Sequence, residues 1–532
     1  MLSSVHNLDL TIKYVCSSEL DKLQQSEEIF DVILVSSPFD RFDKEKPFKY
    51  DPEEHSDYLS ELYSWLEQCH CHLNKDGSLL VYGLPRWLPY FAEYLHASMI
   101  FKYWIVIKNP ASINGPIFPA FHEGVLLFVN NKSNFTLNKV RYPHIMCSQC
   151  EDYLADWGGK KHLRHPYGPV ISDVWDDRED FIDEAHGLAP HTVERLLELT
   201  CKPGFKVLIA AYNGEPYAGT TPLDLDENLS TETPSTSASL RKIERVVPEI
   251  KKPSHKFLFS KDEIFIGDTI EIMSDWVSDG NARFDLIFAD PPYNLEKGYG
   301  KLDDDLEEQE YIQWCDQWLN LCTQLLKPTG SLYVLNLPKW TYFHATLLNQ
   351  HLYFQQWIAW DALSEPRGRV MPAHYGLLLY TKHPTEFTYN SLPRIPKPDQ
   401  CFRSKCINSR PPTAPKEEIS DIWYDVHRIK HKRDRDAHPC QLPIKLLERV
   451  IQISSNPGDL VLDPFLGTGT TAIVAKALGR YFIGTDIDNK YRDIALARLE
   501  KISFGENVKQ VEATVPSFLA LEKTEIRQFT LF

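Results

Sequence analysis

No stretch of this chain approaches the roughly 20 consecutive apolar residues that cross a bilayer. Met1 to Cys16 has neither the basic head nor the apolar core of a secretion signal. These absences lead us to expect a cytoplasmic protein without membrane contact. A surplus of positive charge is lacking too, since 57 Lys and Arg stand against 74 Asp and Glu, for a net charge of −17. Neutralising phosphates needs clustered cations, so binding nucleic acid over the whole surface is excluded, and any such contact must be gathered in one place. The eleven cysteines are scattered and odd in number, which does not make a disulfide framework in a reducing compartment. They read as packing residues. Cys147-x-x-Cys150, with His144, His162 and His165 nearby, has some features of a zinc site. Cys401 and Cys406 are spaced too loosely to repeat it, so no metal is expected.

The 532 residues exceed what one hydrophobic core usually serves, so two domains are the starting expectation. An apolar content of 43% with 25% charged residues is ordinary for a globular protein. The chain also repeats itself. Phe30 to Phe39 aligns with Phe284 to Tyr293, each a β-rich apolar run ending in a Pro-aromatic turn. Further matches follow in order: Gly77-Ser78-Leu79 with Gly330-Ser331-Leu332, Trp104 with Trp357, Ser172-Asp173-Val174-Trp175 with Ser420-Asp421-Ile422-Trp423, and Pro203 to Leu208 with Pro457 to Leu462. In both halves apolar strands alternate with amphipathic stretches such as Tyr311 to Leu326 and Pro443 to Ile453. That alternation predicts an α/β fold of two tandem doubly wound, Rossmann-like domains. We place the first at 1–213 and the second at 256–505. The segment 214–255, rich in Thr, Ser, Pro and Glu, has the composition of a flexible linker, and 506–532 is a C-terminal extension.

Two motifs of the second half carry chemistry. Val461 to Thr471 enters a glycine turn, followed by a helix from Thr470 and a second apolar strand ending at Asp486. This is the layout of an adenosyl-cofactor site in a doubly wound sheet. Asp463, Pro464, Phe465, Gly467, Thr468, Gly469 and Thr470 form the turn, and Asp486 is placed to accept hydrogen bonds from ribose hydroxyls. A plain strand-to-helix turn is the bland alternative; a P-loop is excluded because no Gly-Lys-Ser/Thr follows. The second motif, Asp290-Pro291-Pro292-Tyr293-Asn294, closes the strand Phe284 to Ala289. The nitrogen of a base amine is a poor nucleophile because its lone pair is delocalised into the ring. Asp290 and the carbonyl of Pro291, oriented between two prolines, can accept its two hydrogens. Tyr293 offers a flat face for a base taken out of the stack.

These residues resemble the amino-methyltransferases of bacterial restriction-modification systems. Asp290 to Tyr293 is similar to their D-P-P-Y catalytic motif, and Asp463 to Thr471 to their F-x-G-x-G cofactor motif. The catalytic motif precedes the cofactor motif, as in the circularly permuted β group, and His438-Pro439-Cys440-Gln441-Leu442-Pro443 resembles that group's H-P-x-Q-x-P segment. Gly267-Asp268 is similar to the Gly-Asp that borders the cofactor's adenine. The resemblance covers about Phe259 to Leu499. It implies transfer of a methyl group from S-adenosyl-L-methionine to the exocyclic N6 amine of adenine in duplex DNA. Cytosine N4 is the alternative, since Asp at the first motif position goes mostly with adenine and Ser mostly with cytosine. A cognate restriction endonuclease is a further partner that the resemblance raises. A covalent mechanism through Cys440 is disfavoured because that cysteine enters a helix with no strand before it.

The family places its target-recognition region at 387–437, which here ends in a basic run. Arg428, Lys430, Lys432, Arg433 and Arg435 are the expected DNA contacts, the alternative being a solvated helix face. The N-terminal copy has lost both motifs, since Ser36-Ser37-Pro38-Phe39 has no carboxylate and Val207 to Ala211 runs into Tyr212-Asn213-Gly214. A structural or DNA-handling role, with the halves packed as an intramolecular pseudo-dimer, is expected of it; the alternative is a second, cytosine-type active site, since Ser36 matches the Ser variant of the motif. Two other classes stay open: a DNA-binding protein without catalysis, and a methyltransferase of protein or RNA amines.

Overall fold

The computed structural model describes residues 8–16, 23, 27–37, 48–113, 117–154, 165–176, 188–211, 221–222, 245, 260–278, 280, 283–295, 305–362, 368–401, 403–427 and 441–505. Most of the expected linker, the extension 506–532 and the basic run at 428–435 lie outside them.

In the first half, β1 (Thr11–Cys16), β2 (Phe30–Ser36), β3 (Leu73–Gly83), β4 (Ile100–Ile113), β5 (Ala120–Val129), β6 (Val174–Asp176), β7 (Lys206–Ala211) and β8 (Thr221–Pro222) form one sheet in the order β6-β4-β5-β3-β2-β7-β1-β8. In the second half, β9 (Glu263–Ile266), β10 (Phe284–Ala289), β11 (Leu326–Asn336), β12 (Tyr353–Asp361), β13 (His374–Thr381), β16 (Ile422–Trp423), β17 (Leu460–Asp463) and β18 (Tyr481–Asp486) form another in the order β16-β12-β13-β11-β10-β17-β18-β9. A two-stranded ribbon, β14 (Ile395–Pro396) with β15 (Lys416–Glu417), stands apart. In each large sheet one strand, β5 or β13, runs against the rest. Strands such as Phe284-Asp285-Leu286-Ile287-Phe288-Ala289 are apolar almost throughout because helices cover both faces of a parallel sheet.

The helices among the described residues are α1 (Pro52–Cys71), α2 (Leu88–His96), α3 (Pro190–Thr200), α4 (Thr269–Ser278), α5 (Glu308–Leu325), α6 (Pro338–His351), α7 (Ser404–Ser409), α8 (Ile444–Ser454), α9 (Thr470–Ala477) and α10 (Asn489–Leu499). The two amphipathic stretches read from the sequence are α5 and α8. Their buried faces, Tyr311, Cys315, Trp318, Cys322 and Leu325 in α5 and Leu447, Val450, Ile451 and Ser454 in α8, recur at helical spacing. None of the described helices is long and apolar enough to cross a membrane.

The sheets match strand for strand in position, and one interaction recurs in both. Asp31 on β2 accepts a hydrogen bond from the backbone N–H of Lys206 at the start of β7 (2.9 Å), just as Asp285 on β10 accepts from Leu460 at the start of β17 (2.9 Å). The chain order departs from the repeat at the outer edge. The slot beside β17 is filled by β18, which follows it, whereas the slot beside β7 is filled by β1, the first strand of its half. The sequence matches did not reach this far, since β1 and β18 lie at opposite ends of their halves. Aligning Ile209 with Asp463 puts Cys16 in the place of Asp486.

The halves share a core. Buried side chains from both run together through α2 and α6, which pack on each other. Trp104 stacks on its counterpart Trp357 with centroids 4.0 Å apart. Asp421 of the second half accepts from the N–H groups of Phe121 (2.9 Å) and His122 (3.1 Å) of the first. Reciprocally, Asp173 accepts from the N–H of Ala373 (2.8 Å) and lies 3.0 Å from Nδ1 of His374. Arg245, within the expected flexible linker, is held between Glu93 (3.1 Å) and the carbonyl of Phe343 (2.7 Å). The Arg245 side chain thus has a partner on each half. We expect Trp104→Ala to cost roughly 3–5 kcal/mol and to split a single calorimetric unfolding transition into two. An unaltered single transition would show that this contact does not couple the halves.

Candidate active site

The strand order of the second sheet reverses between β10, whose next strand in the chain lies on one side, and β17, whose next strand lies on the other. A crevice opens at the carboxyl ends of strands at such a switch point. Both motifs end there, because β10 and β17 pair in parallel, Leu286 with Val461 and Ile287 with Leu462. They line one open crevice. Asp268, Asp290, Pro291, Pro292, Tyr293, Asp463, Pro464, Phe465, Gly467, Thr468, Thr470 and Asp486 all face it. Of the site residues expected in these motifs, Gly469 alone does not.

The catalytic-motif turn is held rigidly. The hydroxyl of Tyr293 donates to Oδ1 of Asp290 (2.6 Å), the indole of Trp340 to the carbonyl of Tyr293 (2.8 Å), and the hydroxyl of Tyr311 to the carbonyl of Pro292 (2.6 Å). Asn294 adopts φ 54°, a left-handed conformation that asparagine tolerates better than most residues. Its side-chain amide brackets Leu306, donating to the carbonyl (2.7 Å) and accepting from the N–H (2.8 Å). Tyr293 therefore orients the carboxylate, a role its motif position did not reveal.

The glycine turn is built as tightly. Asp463 is buried, with Oδ1 accepting from the N–H of Phe465 (2.9 Å) and Oδ2 from the hydroxyl of Thr471 (2.6 Å). It shapes the turn, and burial raises its carboxyl pKa to about 7. Asp486 accepts from the N–H groups of Gly467 (2.8 Å) and Asp488 (2.8 Å), and burial raises its pKa to about 6 against the opposing pull of those N–H donors. Gly469 has φ 84°, and a Cβ there would stand 2.6 Å from Cβ of Ala495. Only glycine fits where the turn enters α9. Asp268 accepts from the N–H of Ile270 (2.8 Å) at the start of α4.

Trp314 and Tyr491, which no sequence motif marks, also line the cavity, as does Leu442 of the H-P-x-Q-x-P segment. Trp314 and Tyr491 arrive from helices distant in the chain and carry no local signal. Gln441 faces the cavity as well, with its side-chain oxygen buried and without a hydrogen-bond partner among the described residues. The motif segment that contains it was the available clue. Elsewhere, Cys401 and Cys406 lie against Cys147 and Cys150, which overturns the inference from their spacing: separation along the chain does not limit what two loops bring together.

Gly469→Ala is expected to lower stability by roughly 1–3 kcal/mol in urea unfolding; no change would mean the turn can relax. The Asp463 carboxyl titrates near 7 when folded against an ordinary 3.8. Its contribution to stability is therefore complete below 3.8 and lost as pH rises towards 7. The melting temperature of the unsubstituted chain minus that of Asp463→Asn should fall over this window and level off above it. A difference that rises with pH would contradict the burial-raised pKa.

A model of the DNA methylase family that acts on N6 and N4 amines matches residues 30–247 and again 284–497. The chain is similar to the type II methyltransferase M.HpaI of Haemophilus parainfluenzae, 41% identical over 221 residues, which are 41% of this chain and 68% of that protein. It is also similar to the DNA adenine methyltransferase YhdJ of Escherichia coli, 33% identical over 228 residues, 41% of this chain and 77% of that protein. Among solved structures it resembles M1.HpyAVI in complex with SAM, at 24% identity and a TM-score of 0.31, over 44% of this chain and 99% of that one. With the family model matching both halves, this chain belongs to the N6/N4 DNA methylase family.

Proposed function

We propose that the second half transfers a methyl group from S-adenosyl-L-methionine to the N6 amine of adenine in duplex DNA. The observation that carries this reading is the single cavity lined by both the Asp290 turn and the glycine turn. The cofactor fits the residues present. The turn at Gly467 lets a ligand approach the backbone, Asp486 offers a carboxylate at the strand end, and the unpartnered Gln441 oxygen faces the same space. Asp268, Pro464, Phe465, Thr468 and Thr470 would complete its surroundings, with Asp463 and Gly469 holding the turn in shape. When bound, the cofactor supplies an electrophilic methyl on sulfur.

The protein's part is to prepare the amine. Asp290, its rotamer fixed by Tyr293, accepts one amine hydrogen, while the carbonyl of Pro291 accepts the other. The Pro292 carbonyl is already engaged by Tyr311. Drawing both hydrogens towards acceptors localises the nitrogen lone pair, and alignment of the reactants supplies much of the remaining rate. An acid at position 290 favours adenine over cytosine N4, and the similarity to an adenine methyltransferase agrees. DNA is gripped by Arg428, Lys430, Lys432, Arg433 and Arg435, the one strong basic run in an acidic chain.

The N-terminal half, in this reading, performs no transfer. Ser36, Ile209 and Cys16 occupy the places of Asp290, Asp463 and Asp486. It packs on the catalytic half as an intramolecular pseudo-dimer, supported by the Trp104–Trp357 stack and the reciprocal Asp173 and Asp421 contacts. A cytoplasmic setting, with or without a cognate restriction endonuclease, suits these features.

Asp290→Ala should reduce incorporation of labelled methyl into DNA by roughly 10²-fold or more, with cofactor affinity by calorimetry within a few-fold of the unsubstituted chain. Undiminished turnover in that variant would refute the assignment. Absence of transfer by the unsubstituted chain on DNA of varied sequence would favour a binding protein without catalysis.

A further inference from the structure

We propose that Cys147, Cys150, Cys401 and Cys406 form a four-thiolate zinc site that clasps the N-terminal half to segment 387–437 of the C-terminal half. One pair of ligands comes from each half, and the four Sγ atoms lie within 4.8 Å of one another.

The spacing of the sulfurs is the first argument. Cys147 and Cys406 are 3.9 Å apart, and Cys150 and Cys401 3.7 Å. Tetrahedral zinc with sulfur at about 2.3 Å places its ligands about 3.8 Å from each other. A disulfide would bring two of them to about 2.05 Å. Both pairs also fall within the C-x₂₋₄-C range of structural zinc sites.

The surroundings are the second argument. Thiols packed merely as small hydrophobes sit among apolar side chains, yet Leu154 is the partly buried hydrophobic residue that packs on this cluster among the described residues. Donors converge on the sulfurs instead. The N–H groups of Cys401 (3.3 Å) and Gln149 (3.4 Å) point at Sγ of Cys147. Nη2 of Arg410 stands 3.5 Å from Sγ of Cys406, and Nη1 of Arg403 4.0 Å from Sγ of Cys150. Binding one Zn²⁺ releases four thiol protons and leaves a centre of charge −2, which the two guanidinium groups offset.

The two loops are shaped for such a centre and joined beside it. Cys147 donates its N–H to the carbonyl of Asp152 (2.8 Å), and Glu151, at φ 55°, returns its N–H to the carbonyl of Cys147 (3.0 Å). Cys401 and Cys406 flank the start of α7 and lie within it, respectively. Between the loops, the N–H of Ser148 reaches the carbonyl of Asp399 (2.9 Å), and Arg403 donates to the carbonyl of Tyr153. The clasp would fix the outer part of the segment that precedes the basic run independently of the sheets.

The test is the metal content of the full chain, purified under reducing conditions. Mass spectrometry of the metal should find about one zinc per chain, and replacement with Co²⁺ should give the intense visible bands of tetrahedral thiolate cobalt. Cys150→Ser, at an exposed position, should abolish both signals, whereas Cys71→Ser, exposed and not a member of the cluster, should change neither. If Cys150→Ser does not fold, the cobalt spectrum of the unsubstituted chain decides. A reduced, folded chain that takes up neither metal in stoichiometric amount, or a Cys150→Ser protein with undiminished zinc, overturns the proposal. So does native protein in which these cysteines are paired as disulfides.

Discussion

The parallel pairing of Phe284–Ala289 with Leu460–Asp463 sets the layout of the second half. Residues far apart in the chain become neighbours because Leu286 lies beside Val461 and Ile287 beside Leu462, so both turns emerge on one edge. A register slip of one residue would turn each strand's side chains to the opposite face. Asp285 helps to fix the register. It accepts from the N–H of Leu460 while held by Lys327 at 2.8 Å. The polar side chain in an apolar strand is thus an anchor for the neighbouring strand.

The same anchor survives in the other half, where Asp31 binds Lys206 and is held by Asn74 (3.0 Å) in the position of Lys327. At the positions that correspond to Asp290, Asp463 and Asp486 this half carries Ser36, Ile209 and Cys16. An apolar core and the paired acids Asp173 and Asp421 join the first half to the second. Removing the first half would expose the side chains around Trp357 and take from Asp421 the amide donors of Phe121 and His122.

Much of this was legible in the sequence, because each motif is local. Apolar runs ending in Pro-Pro-Tyr or in a glycine turn announce a strand, its end and its chemistry within a dozen residues, and the repeat announced the second sheet. What was not legible depends on long-range packing. The exchange of β1 for the slot of β18 follows strand pairing that no local pattern encodes. Trp314 and Tyr491 enter the cavity from helices whose periodicity marks them only as amphipathic. Both strand-end acids, Asp463 and Asp486, accept hydrogen bonds from the turn around them, contacts that appear only once the strands are paired. Cys401 and Cys406 looked unrelated to Cys147 and Cys150 because their loops meet only in the folded chain. Arg245 sits in a stretch whose composition reads as linker, yet its partners lie on helices of both halves.

The proposed transfer requires one crevice to hold both reactants. A crystal structure of the full chain with bound S-adenosyl-L-methionine tests it most directly. The account predicts one cofactor per chain, seated at the Gly467 turn with its ribose on Asp486 and its sulfonium methyl directed towards Asp290. A cofactor in the N-terminal half, or one whose methyl points away from the Asp290 turn, would contradict it.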